Sequence, residues 1–250
     1  MDAHTAYFTI RGRLLDFLPR LAREAPVHYR FTGRPAVKDA AEAIGIPHPE
    51  IGRILMNGTD SHFYTSLANG DFVELEPEDS VPGNATAGTL HPPLPCPPRF
   101  LLDVHLGALA RKLRLTGMDT AYHKESGDAG LVRQAILEDR ILLTRDTGLL
   151  KHAAVRWGYW LRSDNPEVQW TEVNRRYGLW PFFQIFSRCL RCNGSIVPVP
   201  LQEVRDQLPE RTRASFTEFF RCTGCGRVYW KGSHYERMCA ALEQQRPPDR

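Results

Sequence analysis

Two pairs of cysteines form the most specific chemical pattern in this 250-residue sequence. Cys189 and Cys192 make one Cys-x-x-Cys turn, and Cys222 and Cys225 make a second one further along. Four thiolates from two such turns give a closed tetrahedral site, which is the structural zinc arrangement. A redox-active Cys-x-x-Cys is the alternative, but two copies in segments with little helical pattern favour zinc.

Four aspartates form the second pattern. Asp103, Asp146 and Asp164 lie at or just beyond the ends of predicted strands, and Asp128 begins the helix after another strand. Because the carboxyl ends of parallel strands share one edge of a sheet, we expect these carboxylates to gather there. Crowded carboxylates cost energy unless a cation lies among them, so the pattern predicts a metal ion at this edge.

Each of these acids also has a structural explanation. Aspartate is a common residue immediately before a helix, where it caps the free backbone N–H groups. One such residue alone is better explained as a cap, whereas the four together favour a ligand set. Glu125 competes with Asp128 for the second position.

The elements that would position these acids follow from hydrophobic periodicity. Strand patterns at 100–102, 120–122, 141–144 and 159–161 alternate with helical patterns, which predicts a parallel sheet. The first helical pattern has leucines at 106, 109 and 113, with Arg111, Lys112 and Arg114 expected on the outer face.

The central segment resembles a known nuclease family. Residues 100–107 (FLLDVHLG), 109–114 (LARKLR) and 140–146 (RILLTRD), with Asp128 between them, are similar to the PIN-like ribonuclease domain named after the C terminus of the Mut-seven exonucleases. In prokaryotic proteins that domain often follows a ubiquitin-like domain. The resemblance implies that Asp103, Asp128 and Asp146 bind Mg²⁺ or Mn²⁺, with Asp164 as a weaker fourth catalytic acid.

The segment after the second cysteine pair extends this resemblance. Residues 226–234 (GRVYWKGSH) are similar to the zinc-ribbon end of the same family. Aromatic side chains bordered by Arg and Lys can stack bases and hold phosphates. The residues we predict to contact RNA are Arg145, Tyr229, Trp230, Lys231 and His234. Tyr229 and Trp230 equally fit the core of a small ribbon, and Arg145 and His234 equally fit surface or structural roles. We expect the polar insert at 201–213 to be peripheral.

The N-terminal segment predicts a small α+β domain. Strand patterns at 5–10, 28–31, 54–56 and 70–75 surround one helical pattern at 37–44. The order, with the motifs PAVKD at 35–39 and LANGDFV at 67–73, resembles the ubiquitin-like β-grasp of the ThiS/MoaD sulfur carriers. Those carriers act through a C-terminal Gly-Gly that this segment lacks, so we expect a protein-docking role instead.

Composition and charge complete the organisation. The predicted fold is α/β, divided into a β-grasp domain (1–80), a proline-rich linker (81–98), a PIN-like domain (99–187) and a zinc ribbon (188–240). Residues 1–85 carry 8 Lys/Arg against 12 Asp/Glu, whereas residues 86–250 carry 24 against 17, so the net charge of +3 combines an acidic and a basic part. There is no pattern for a secretory signal or a membrane span, and paired cysteines indicate a reducing, cytoplasmic location. Cys96 and Cys239 receive no role.

These features together predict a metal-dependent ribonuclease. Mg²⁺ or Mn²⁺ would serve catalysis, Zn²⁺ would serve structure, and the partners would be RNA and a protein bound by the N-terminal domain. The alternative is a non-catalytic RNA-binding adaptor, in which the aspartates are helix caps and the ribbon does the binding.

Overall fold

The computed structural model describes residues 3–79, 90–125 and 127–243, apart from the side chain of His234. The N-terminal part is a five-stranded sheet in the order β2-β1-β5-β3-β4 with one helix packed on it. β1 and β5 are parallel, and the other pairs are antiparallel. Its elements are β1 (His4–Ile10), β2 (Val27–Phe31), α1 (Val37–Ala43), β3 (Ile51–Met56), β4 (Thr59–Asp60) and β5 (Phe72–Pro77).

The central part is a four-stranded sheet in the order β7-β6-β8-β9, and all its strands are parallel, as the strand–helix alternation predicts. All four strands therefore end at the same edge. The elements are β6 (Arg99–Leu102), α2 (Gly107–Leu115), β7 (Asp119–Tyr122), α3 (Asp128–Leu137), β8 (Ile141–Thr144), α4 (Thr147–Leu150), β9 (Gly158–Trp160) and α5 (Pro166–Tyr177).

Helices cover both faces of the central sheet. Phe100 and Leu102 pack against α2 and α5, whereas Leu101 points to the opposite face and packs against α3 and α4. This explains why the strands read as continuous apolar runs rather than as an alternation of apolar and polar residues. The acids that follow the strands therefore lie on a rigid, doubly covered support.

The C-terminal part is a small antiparallel sheet in the order β10-β11-β12. The insert between the cysteine pairs contributes to its core, because Val204 and Leu208 are buried against Phe219. The expectation that this insert is peripheral was wrong, since the small sheet has few apolar residues of its own to pack on. The elements are β10 (Ile196–Val199), α6 (Leu201–Val204), α7 (Glu210–Ser215), β11 (Phe219–Cys222), β12 (Val228–Tyr229) and α8 (Ser233–Glu243).

Both edges of the central sheet are covered by the flanking parts of the chain. At the β9 edge, the Trp160 N–H donates to Oε1 of the buried Glu50 over 2.6 Å. At the β7 edge, the Thr120 N–H donates to Oδ1 of Asn193 over 2.9 Å. Side chains thus pair edge amides that would otherwise be available to another strand.

The N-terminal sheet is held against the central one by further polar contacts. Arg162 Nε donates to Asp16 Oδ2 over 2.7 Å, and its guanidinium lies 5.0 Å from the ring centre of Trp160. His48 Nε2 lies 2.8 Å from the Val155 carbonyl oxygen. The N-terminal domain is therefore a docked part of the structure.

The predicted linker at 81–98 lies outside the described residues up to position 89. From position 90 onward the chain contacts both neighbours: Leu90 packs on the N-terminal core, and the Trp157 indole N–H donates to the Pro92 carbonyl over 2.9 Å. The longest helix in the described ranges has 12 residues, and none there has the length and apolar character of a membrane span.

Candidate functional site

Asp103 directly follows β6 and is held by three hydrogen bonds. Its Oδ1 accepts from the His105 N–H over 2.8 Å, and its Oδ2 accepts from the Arg145 N–H over 2.8 Å and from the Thr144 hydroxyl. The side chain is buried, with the residue only 4% exposed. Donors on both sides fix the orientation of this carboxylate and compensate for its burial.

Asp146 follows β8, which is the neighbour of β6 in the sheet. Its side chain is exposed and caps α4, where Oδ1 accepts from the Gly148 N–H over 2.7 Å. Its backbone N–H donates to the Thr144 hydroxyl over 2.9 Å. The Thr144 hydroxyl thus joins the two strand-end aspartates, donating to one and accepting from the other.

Asp128 and Asp164 lie outside this hydrogen-bonded set. Asp128 is the first residue of α3 and is exposed. The cap position of this helix is Gly127, so Asp128 is not the helix cap that the sequence offered as an alternative. Asp164 is exposed in the loop before α5, and the cap of that helix is Asn165, which accepts from the Glu167 N–H over 2.8 Å. Glu125 is exposed in the turn after β7. Within the described ranges these acids do not form a compact ligand group.

The four cysteines of the paired turns form a compact group of potential metal ligands. Their Sγ atoms all lie within 4.8 Å of one another, and no other described group of three or more Cys, His, Asp or Glu residues meets this condition. Cys189 and Cys222 are buried, and Cys192 and Cys225 are exposed. A set of four thiols from two turns fits a tetrahedral Zn²⁺ ion. The other cysteines lie outside the cluster: Cys96 and Cys239.

Backbone and side-chain groups around the cluster support this assignment. The Gly224 N–H points at Cys222 Sγ over 3.3 Å, and the Tyr229 hydroxyl lies 3.0 Å from Cys189 Sγ. A Cβ atom at Gly194 would lie 2.9 Å from Cys222 Sγ, so a larger residue there would crowd the site. Such donors around the sulfurs are typical of the partners that orient thiolate ligands.

Arg114 connects the first cysteine turn to the central sheet. Its guanidinium donates to the Thr120, Leu190 and Arg191 carbonyls over 2.9, 3.2 and 2.9 Å. The residue is only 4% exposed, so its predicted position on the outer face of α2 was wrong. The helical pattern could not reveal this, because two of the three carbonyls that accept from Arg114 belong to the first cysteine turn, more than 70 positions away in sequence.

Asp119 contributes to the same junction. Its Oδ1 accepts from Arg140 Nη1 and from Asn193 Nδ2, both over 2.7 Å. Burial favours the neutral acid, but these two hydrogen bonds hold the pKa of Asp119 below its ordinary value. The carboxylate therefore stays ionised and helps to fix the ribbon against β7.

A groove of about 1010 Å³ lies between the start of α2, the turn after β7 and the ribbon. Tyr229 and Trp230 line it, and both are half-buried. Lys231 and Arg145 are exposed outside its lining; the Lys231 ammonium lies 3.4 Å from Glu218 Oε2. The side chain of His234 lies outside the described residues.

These features define a class of protein: an α/β fold with carboxylates at the end of a parallel sheet and a four-cysteine cluster that could hold a metal ion, preceded by a β-rich domain. Comparison with family models identifies the family. Residues 98–242 match the Mut7-C RNAse domain, and residues 3–81 match the Mut7-C ubiquitin domain. The chain belongs to the Mut7-C RNAse family, which confirms the resemblance noted in its motifs. The searches of curated proteins and of solved structures gave no match.

Proposed function

We propose that this chain is a metal-dependent ribonuclease that hydrolyses RNA phosphodiester bonds at the carboxyl edge of its parallel sheet. The observation that carries the proposal is the pairing of Asp103 and Asp146 through Thr144 at the ends of two adjacent strands, within an RNAse-family domain. The rest of the PIN-like set, Asp128 and Asp164, would complete the site from the neighbouring loops.

The donors around the two carboxylates give them different roles. Asp103 is buried and fixed on both oxygens, so it would be the rigid ligand. Asp146 is exposed, and Gly148 is the only described donor to its carboxylate, so it has free capacity toward an incoming ion. Bound Mg²⁺ or Mn²⁺ would supply positive charge to the scissile phosphate and lower the pKa of an attacking water.

The ribbon and the N-terminal domain would serve binding. Zn²⁺ held by the four cysteines would give the ribbon its fold, and RNA would be contacted by Arg145, Tyr229, Trp230, Lys231 and His234. The N-terminal domain would dock a protein partner. We propose that the N-terminal domain spans 1–80, the linker 81–98, the PIN-like domain 99–187 and the ribbon 188–240. We also propose a cytoplasmic location, because a reducing compartment keeps the cysteines of the paired turns free of disulfides.

A non-catalytic RNA-binding adaptor is the second candidate. It is favoured by the fact that Asp103 and Asp146 both cap helical turns, which accounts for their side chains without a metal. Cleavage of RNA separates the two candidates, since an adaptor would bind RNA and leave it intact.

The test is cleavage of a labelled single-stranded RNA with Mn²⁺ by the zinc-loaded protein. We expect Asp146→Asn to lower the cleavage rate at least about 100-fold, because it removes the charge of one metal ligand. Asp103→Asn should have the same effect and also lower stability. Asp139→Asn is the matched control, because Asp139 is exposed just before β8, at the opposite end of that strand. Equal cleavage by all variants would refute the metal mechanism, and absence of cleavage with retained RNA binding would favour the adaptor.

A further inference from the structure

The groove beside the ribbon is lined by cationic and aromatic side chains, and none of its lining residues in the described ranges is acidic. It lies between α2 and the turn after β7 on one side and the ribbon on the other. Positive charges along a concave surface attract a polyanion, because the shape of the surface concentrates their electric field. The cationic lining residues are Arg111, Arg114, Lys124, Arg188, Arg191 and Arg227.

Two of these cations are used within the protein. Arg114 donates to backbone carbonyls, and Arg188 lies 3.5 Å from the Asp119 carboxylate. The other four are exposed and form no ion pair with any residue in the described ranges. The charges of these four residues are therefore available to a ligand. They are Arg111, Lys124, Arg191 and Arg227.

The aromatic lining offers ring surface beside these charges. Phe186 packs edge to face with Tyr229 and Tyr235, with ring centres 6.2 and 5.0 Å apart. The guanidinium of Arg227 lies 6.0 Å from the ring centre of Tyr229. All three rings are half-buried, so they are fixed by their packing and still present surface to the groove. Rigid rings next to arginines are the combination that stacks unpaired bases and holds their phosphates.

Part of the groove lining lies next to Asp103 in the fold. Tyr122 lines the groove and pairs with Leu102, the residue before Asp103, and its hydroxyl donates over 3.0 Å to the carbonyl of Val104, the residue after Asp103. A Cβ atom at position 107 would lie 2.8 Å from that hydroxyl, so the close approach of α2 to β7 requires glycine here. An RNA strand lying in the groove would thus reach the edge of the sheet that bears Asp103.

We propose that this groove binds single-stranded RNA and leads it to the strand-end aspartates. The proposal rests on the proposed function and adds the class of substrate. Ring faces inside a concave groove can be reached by unpaired bases, whereas the bases of a duplex are stacked within it and offer only their edges. Single-stranded segments are therefore the substrate, and RNA duplexes are excluded from the groove.

Binding to a fluorescein-labelled 12-nucleotide oligouridylate, followed by anisotropy with no added divalent ion, tests the groove separately from cleavage. We expect the double variant Arg111→Glu and Arg227→Glu to raise Kd at least about tenfold and to lower the slope of log Kd against log salt by about 0.7 for each lost phosphate contact. The double variant Arg20→Glu and Arg34→Glu is the matched control with the same change in net charge, because both arginines are exposed in the N-terminal domain and lie outside the groove. Zinc content and circular dichroism should be unchanged in both variants.

The outcomes distinguish this proposal from the nuclease assignment. Equal Kd for the groove variant and the control would overturn the groove, and so would equal affinity for a blunt RNA hairpin of the same length. If the groove variant loses binding while the wild type cleaves no RNA with Mn²⁺, the groove stands and the nuclease fails. If Asp146→Asn abolishes cleavage while the groove variant binds normally, the nuclease stands and the groove fails.

Discussion

Replacing Thr144 with valine removes the hydroxyl between the two strand-end aspartates and keeps the shape of the side chain. The residue is fully buried, so water cannot replace the lost partner. The Asp103 carboxylate loses one of its three donors, and the Asp146 N–H loses its acceptor.

The expected loss of stability follows from these two hydrogen bonds. A hydrogen bond to a charged group contributes about 1.5–3 kcal/mol and one between neutral groups about 1 kcal/mol, so we expect Thr144→Val to lower the free energy of unfolding by about 2.5–4 kcal/mol. Because both metal ligands lose a positioning contact, we also expect the cleavage rate to fall about 10- to 100-fold.

Thr120→Val is the matched control. Thr120 is also fully buried in a strand of the same sheet, but its hydroxyl donates only to the Met118 carbonyl. We expect a loss of about 1 kcal/mol and unchanged cleavage by folded protein. Urea unfolding monitored by tryptophan fluorescence measures the first quantity, and single-turnover cleavage measures the second. Equal losses of stability and activity in the two variants would refute the bridging role of Thr144.

Three further predictions concern the four-cysteine cluster and the two junctions of the central sheet. Removing Zn²⁺ with a chelator should unfold the ribbon, because four thiolates within 4.8 Å repel one another without a cation; an unchanged near-ultraviolet circular dichroism spectrum would contradict this. Glu50→Ala should lower the free energy of unfolding by about 2–4 kcal/mol, because it leaves the Trp160 N–H unpaired and removes one of the two ion-pair partners of Arg13, the other being Asp79; a loss within error in urea titrations would show that this contact is dispensable. The folded pKa of Asp119 is lowered, so its contribution to stability is complete above its unfolded pKa of about 4 and is lost as the pH falls through the folded pKa. The stability difference between wild type and Asp119→Asn should therefore shrink below pH 4, and a pH-independent difference would be evidence against the pKa shift.

The strands and helices of the central sheet could be predicted from the sequence because their signals are local. The runs at 100–102 in β6 and 141–143 in β8 are apolar, as is typical of strands buried on both faces, and the cysteine spacing predicted the four-cysteine cluster without any tertiary information.

The contacts between distant segments could not be predicted in this way. Thr144 lies inside the motif at 140–146, but its role depends on β6 and β8 being neighbours in the sheet. The helical pattern around Arg114 predicts a solvent-exposed side chain, and only the fold shows that it donates to two carbonyls of the first cysteine turn. The same holds for Glu50, since nothing in its local sequence indicates that it pairs with the edge of the central sheet.

The most direct test of the account is whether the strand-end aspartates bind a divalent ion. Mn²⁺ titration of the zinc-loaded protein, followed by the electron paramagnetic resonance signal of free Mn²⁺, counts the bound ions. We expect about one Mn²⁺ per chain in the wild type and in Asp139→Asn, and loss of that ion in Asp146→Asn, because Mn²⁺ prefers carboxylate ligands. Identical titrations for wild type and Asp146→Asn would contradict it.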